Sequence, residues 1–147
     1  MKILLTFIFT LLPLSAVAIP QSSDINIKFG FLRYLDDGSC EIYRETREIP
    51  LHPLSTGFQW GYKITTERSR FTIYDIARSQ FPFKTVGPSF EVQDNGHTLI
   101  SSPIVSDSSS MCMDFGNHED DPSGNQSIEI YIDGRLEETI NFITFHP

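Results

Sequence analysis

The sequence is short of cysteine, tryptophan, positive charge and long apolar runs, and each shortage excludes something. Eleven Lys and Arg face nineteen Asp and Glu, a net charge of -8. That balance argues against wrapping nucleic acid, which needs Lys and Arg to neutralise phosphates, and against an anionic membrane surface. No apolar run reaches the ~20 residues of a transmembrane helix. No Gly-x-Ser-x-Gly elbow marks a hydrolase nucleophile. Outside the first residues there is no apolar stripe at helical spacing, and no internal repeat. Cys40 and Cys112 are the only cysteines, and Trp60 is the only tryptophan.

The first residues set the expected compartment. Lys2 makes a positive start, Ile3 to Leu14 an apolar stretch, and Ala16-Val17-Ala18 a small-x-small pattern, the organisation of a secretory signal peptide. Cleavage after Ala18 leaves Ile19 to Pro147 as a single domain, exported to the periplasm or secreted, with no membrane insertion of the mature chain. Chains near this length bury about 68–70% of their unfolded surface, enough for a core. In an oxidising compartment an isolated cysteine pair reads as a disulfide, Cys40 to Cys112. Closing so long a loop contributes on the order of 4 kcal/mol at most.

The remainder alternates at period two. Phe58, Trp60, Tyr62 and Ile64 share one strand face, with Gln59, Gly61, Lys63 and Thr65 on the other. Ile25 to Phe31 alternates likewise, and Cys40 to Ile49 follows after the turn Asp36-Asp37-Gly38-Ser39. Arg70 to Arg78 places Phe71 and Ile73 on one face and Tyr74 and Ile76 on the other. Asn95-Gly96 marks a hairpin, and Asp133-Gly134 a second between Ile128-Ile130-Ile132 and Leu136 to Phe145. The pattern predicts an all-β fold, an antiparallel β-sandwich of immunoglobulin-like general architecture with about seven to nine short strands. The expected core is Phe29, Phe58, Trp60, Tyr62, Ile128, Ile130 and Ile132.

Several short stretches carry a resemblance. Ile49-Pro50, Trp60-Gly61-Tyr62, Phe81-Pro82, Pro122-Ser123-Gly124, Ile128 through Leu136 and a closing Phe142 resemble an uncharacterised family of small exported bacterial β-sandwich domains, a domain of unknown function. The likeness runs from about Phe29 to Phe145. It departs in a longer spacing from Ile49-Pro50 to Trp60-Gly61, and in Gln126-Ser127 where that family often has tryptophan. The resemblance implies the fold and the export and brings no catalytic residue. The order Cys40, Trp60, Cys112 also parallels immunoglobulin domains, but Ser110 stands where their tyrosine would precede the second cysteine.

Chemistry is sparse. His52, His97, His118 and His146 fall in a proline loop, beside a hairpin turn, in an acidic loop and at the C-terminus, with no nucleophile–base pattern around them. Met111-Cys112-Met113 followed by His118 offers soft sulfur and imidazole, the ligands copper prefers, provided Cys112 keeps a free thiolate. Glu119-Asp120-Asp121 with Asn125 lacks the spaced order of a calcium loop. The reading is therefore a non-enzymatic binding or structural module without cofactor, whose partner is a protein or small ligand and not nucleic acid. The loops Ile49–Gly57 and His118–Asn125 are the expected contact surfaces. The alternative is a small periplasmic copper-type protein using Cys112 and His118.

Overall fold

Alternation of apolar and polar residues favours strands, and among the described residues there are eleven. The computed structural model describes residues 24–147; the leader and its cleavage site after Ala18 lie outside the described residues. In chain order the strands are β1 (Ile25–Tyr34), β2 (Cys40–Glu45), β3 (Glu48–Pro50), β4 (Trp60–Thr66) and β5 (Phe71–Ser79). Then come β6 (Phe90–Gln93), β7 (Thr98–Ser101), β8 (Ile104–Ser106), β9 (Ser110–Phe115), β10 (Gly124–Ile132) and β11 (Arg135–Phe145). They form a four-stranded sheet, β2-β1-β4-β9, facing a seven-stranded sheet, β3-β11-β10-β5-β7-β6, with β8 also on β5.

Eleven strands exceed the expected number partly because Cys40–Ile49 is two strands and not one. The chain leaves the first sheet after Glu45 and enters the second as β3, which runs parallel to β11. All other pairings are antiparallel. At the Asp133-Gly134 turn both residues have positive φ, 50° and 78°, as the tight hairpin between β10 and β11 requires. The Asp133 carboxylate accepts from the Thr72 N–H and from Arg68, tying this turn to the start of β5.

Between the sheets, Phe29, Trp60, Tyr62 and Ile64 meet Phe71, Ile73, Ile128, Ile130, Ile132, Ile140 and Phe142. Phe58 is half-buried at the side of this core, edge-on to Phe31 at 5.1 Å. Its alternation with Trp60 does not extend it inward, because β4 starts only at Trp60.

The first sheet is folded over itself. Register puts Lys28, Lys63 and Cys112 in one row across β1, β4 and β9, while Cys40 pairs with Tyr34 at the far end of β1. In a flat sheet Cys40 and Cys112 would stand more than ~20 Å apart, from the strand spacing and rise per residue. Their Cα atoms are 6.3 Å apart and the two are joined by a disulfide. The β1–β2 ribbon must therefore turn back over the outer face of β4 and β9. It bends at a register shift between Phe31 and Leu32, and such bulges sharpen twist and bend a strand. Lys63 donates to the Cys40 carbonyl at 2.8 Å, and the Tyr34 hydroxyl to Asp114 at 3.1 Å. Room for the bend comes from Gly30 and Gly61, which face each other across β1 and β4. A Cβ on Gly30 would meet the Arg44 carbonyl oxygen at 2.1 Å, and one on Gly61 the Met113 carbonyl oxygen at 1.9 Å.

A carboxyl breaks the apolar pattern in the middle of the inner face. Asp75 of β5 is 1% exposed, and its Oδ2 accepts a 2.6 Å hydrogen bond from the Tyr62 hydroxyl of the opposite sheet. Its backbone N–H donates to the Ser101 hydroxyl at 2.8 Å, while Oδ1 is buried without a partner. Burial raises the Asp75 carboxyl above its ordinary value, partly offset by hydrogen bonding with Tyr62 and Ser101. Burial and the neighbouring carboxylate push the Tyr62 phenol far above the usual range.

Gly61→Ala should lower stability by about 2 kcal/mol in urea titrations, an overpacking effect against backbone. Thr65→Ala, exposed on the same strand, should stay within about 0.5 kcal/mol. Asp75 also sets a pH dependence. Its folded pKa is raised, so between the unfolded and folded values the native state keeps a proton that the unfolded chain has lost. Its contribution is then most favourable below about pH 4 and is lost as pH rises through the folded value. Asp75→Asn should remove that decline from the pH profile of the urea midpoint.

Candidate functional site

The sheets splay at the end where β4 and β10 begin and β5, β9 and β11 finish. The opening is a cleft of about 350 Å³. The first sheet supplies Trp60 and Phe115, and the second Ala77, Leu99, Ile128 and Phe142. Phe83 and Val86, from the connection between β5 and β6, form one lip with Phe90. That connection contains Pro82 and Pro88, which cannot donate to a ladder. It is fixed by the Phe83 N–H to the Gly96 carbonyl at 2.9 Å and the Gln80 N–H to the Asn125 carbonyl at 3.0 Å. Gly116, Asn117, His118 and Asp121 form the other lip, and the Thr85 hydroxyl reaches Asp120 beside it at 2.8 Å.

Neutral amides hold the polar part of the wall. Asn117 accepts from the Trp60 indole N–H at 2.8 Å and donates to the His52 carbonyl at 3.1 Å. It thereby joins the lip, the only tryptophan and the segment after β3. Gln126 donates through Nε2 to the Pro122 carbonyl at 2.8 Å and to the Thr144 hydroxyl at 2.9 Å, and Thr144 in turn donates to the same carbonyl. Asp121 accepts from the His118 N–H at 2.7 Å. Burial raises the Asp121 carboxyl above its ordinary value; that hydrogen bond and the nearby His118 and His146 work against it, and Asp120 adds to it.

The residues singled out by sequence fall unevenly around this cleft. Of the two expected contact loops, Ile49–Gly57 contributes Leu51, and His118–Asn125 contributes His118 and Asp121. The copper reading fails because Cys112 is bonded to Cys40 and has no thiolate to offer. Cys112 pairs with Lys63 on the outer face of the first sheet, while His118 stands at the cleft lip. Met111 and Met113 instead pack against the core. Asp120 and Asp121 are bonded to Thr85 and to the His118 N–H, not gathered as an oxygen cage. Among the described residues no three His, Cys, Asp or Glu side chains cluster to hold a metal ion. His52 lies edge-on to Phe58 and the His97 ring sits against the Ser79 carbonyl, while His118 and His146 both stand near Asp121.

Sequence reasoning missed Phe83, Val86, Phe90, Leu99, Asn117, Gln126 and Thr144. A signal existed for the first two: aromatic and aliphatic residues inside a proline-rich connection need an apolar surface to cover. None existed for the amides, whose roles depend on partners far along the chain.

Asn117→Ala should lower stability by roughly 1–3 kcal/mol, because the buried Trp60 indole N–H loses its acceptor. The measurement is urea unfolding followed by Trp60 emission, whose native-state wavelength should also move.

Among solved structures, an immunoglobulin-like protein from Pseudomonas aeruginosa is 14% identical, with a TM-score of 0.47, covering 85% of this chain and 99% of that chain. No curated protein matches the sequence. The sequence model of the PM0630 beta sandwich domain matches residues 27–144, from β1 to the end of β11. With most of its length matched and two facing sheets built from it, the chain belongs to the PM0630 beta sandwich domain family.

Proposed function

We propose that this domain is an exported, non-enzymatic binding module whose end cleft receives an apolar group of a protein or small ligand. The cleft carries the reading. Its volume of about 350 Å³ lies within the ~300–1,000 Å³ of small-molecule sites, and an apolar lining with a few placed polar groups is their usual composition. A fully packed sandwich end would leave no such space, since interiors fill to crystal-like density. Among the described residues no serine hydroxyl is hydrogen-bonded to a histidine, which favours binding over catalysis. Export is favoured by the signal-like leader and by the Cys40–Cys112 bond, which persists in oxidising compartments. Among the described residues no helix is long and apolar enough to cross a membrane.

Trp60 lies in the cleft wall and is the only tryptophan, so it reports occupancy directly. Titration with the neutral dye N-phenylnaphthylamine should give saturable dye emission with matching loss of Trp60 emission. Ala77→Leu, which fills the cleft floor, should weaken binding by roughly tenfold, the equivalent of ~1.4 kcal/mol. Dye emission that never saturates, or that Ala77→Leu leaves unchanged, would sink the proposal.

A further inference from the structure

The cleft has a polar corner that its own fold leaves unfinished. Gln126 is 9% exposed and lines the cleft. Its Nε2 uses both hydrogens, on the Pro122 carbonyl and the Thr144 hydroxyl. Those partners fix the orientation of the amide, and its Oε1, which has no hydrogen bond among the described residues, stays accessible on a residue that lines the cleft. A carbonyl oxygen in an apolar wall asks for a donor. Asp121 stands in the same corner, since it precedes Pro122, whose carbonyl Gln126 holds. Its carboxylate is half-buried and bonded to a neutral backbone N–H.

Charge around the corner is one-sided. Glu119, Asp120 and Asp121 line the adjoining recess with His146 and a single permanent cation, Lys84. The arginine ion pairs formed among the described residues lie elsewhere, at Arg33, Arg47, Arg68, Arg70, Arg78 and Arg135, and none involves these three carboxylates. An occupant bringing a cationic donor would satisfy the amide oxygen and add a permanent positive charge to the His118 and His146 imidazoles already near Asp121. Its apolar remainder would lie along Trp60, Leu99 and Phe142.

We infer that the cleft selects an apolar primary amine in its ammonium form, holding the nitrogen between Gln126 Oε1 and the Asp121 carboxylate. This rests on the cleft being the binding site. It adds the head group: an alcohol of equal length satisfies only the amide, and a carboxylate meets Asp121 with like charge. A donor shared with a carboxylate makes a charge-assisted hydrogen bond, about twice as strong as a neutral one.

The test is a titration of the full domain with octylammonium, octanol and octanoate below their micelle concentrations, read by Trp60 emission and calorimetry. Octylammonium should bind roughly tenfold tighter than octanol, with octanoate weakest. Asp121→Asn keeps an acceptor for the His118 N–H and should bring octylammonium down to the level of octanol. Asp107→Asn makes the same net-charge change at a distant exposed site, where Asp107 pairs with Arg70, and should leave the preference intact. Added salt should narrow the ammonium advantage while leaving octanol unaffected. Gln126→Leu, in which Thr144 still bonds Pro122, should weaken the amine and the alcohol together. Equal affinity for amine and alcohol, or a preference indifferent to Asp121→Asn, overturns the head-group assignment and leaves the apolar cleft standing. If none of the three ligands binds, both readings fall.

Discussion

Two glycines opposite each other decide how much of this sandwich is available to anything else. Gly30 and Gly61 leave the middle of the first sheet bare on its outer side, so the neighbouring backbones lie where side chains would be. The β1–β2 ribbon can then lie back across that face. Once it does, Tyr34 and Cys40 meet Lys63, Cys112 and Asp114, although ladder register places the two groups far apart. The edges of a sheet are its usual liability, because unpaired backbone groups invite another chain. Here the fold-back and the Cys40–Cys112 bond bring the two edges of the first sheet together. What remains open includes the outer face of the larger sheet, its edge strands β3 and β6, and the splayed end with its cleft.

That splayed end is held by two side-chain amides as well as by the Asp120 and Asp121 carboxyls. Asn117 and Gln126 each span two segments, and both do so through amides, which carry a donor and an acceptor on one planar head. Ion pairs lie mostly on exposed or half-exposed surfaces, where each contributes little, Glu137 being the one partner with a buried side chain among the described pairs. A fully buried carboxyl, Asp75 under Tyr62, forms a hydrogen bond between the sheets in the middle of the core. It ties the layers at one place through one short hydrogen bond and keeps an unpartnered, fully buried oxygen.

How far the sequence foretold this depended on whether the deciding contacts were local. Trp60, Tyr62 and Ile64 announce an inner face because period-two alternation is a local property. The hairpin at Asp133-Gly134 is legible for the same reason, since a two-residue turn needs positive φ and these residues tolerate it. Cys40–Ile49 read as one strand because nothing local marks a change of sheet; it breaks because Glu48–Pro50 finds its partner in β11, almost a hundred residues later. Asp75 looked like any polar residue in a half-buried strand, and only Tyr62 on the opposing layer explains its burial. The cleft was half legible. Its loops were expected as surfaces, while Phe83, Val86 and the two amides acquire their roles only when the sheets come together.

The separation between the joined cysteines, 72 residues, implies an order of assembly. The β10–β11 hairpin closes over two residues and needs little loop entropy, whereas Cys40 and Cys112 meet only after β4 has paired with both β1 and β9 and the ribbon has folded over them. Oxidation therefore acts as a latch on a nearly finished molecule, not as a guide to an unfinished one. With no third thiol to compete, a chain that fails to assemble has no wrong intramolecular bond in which to become trapped.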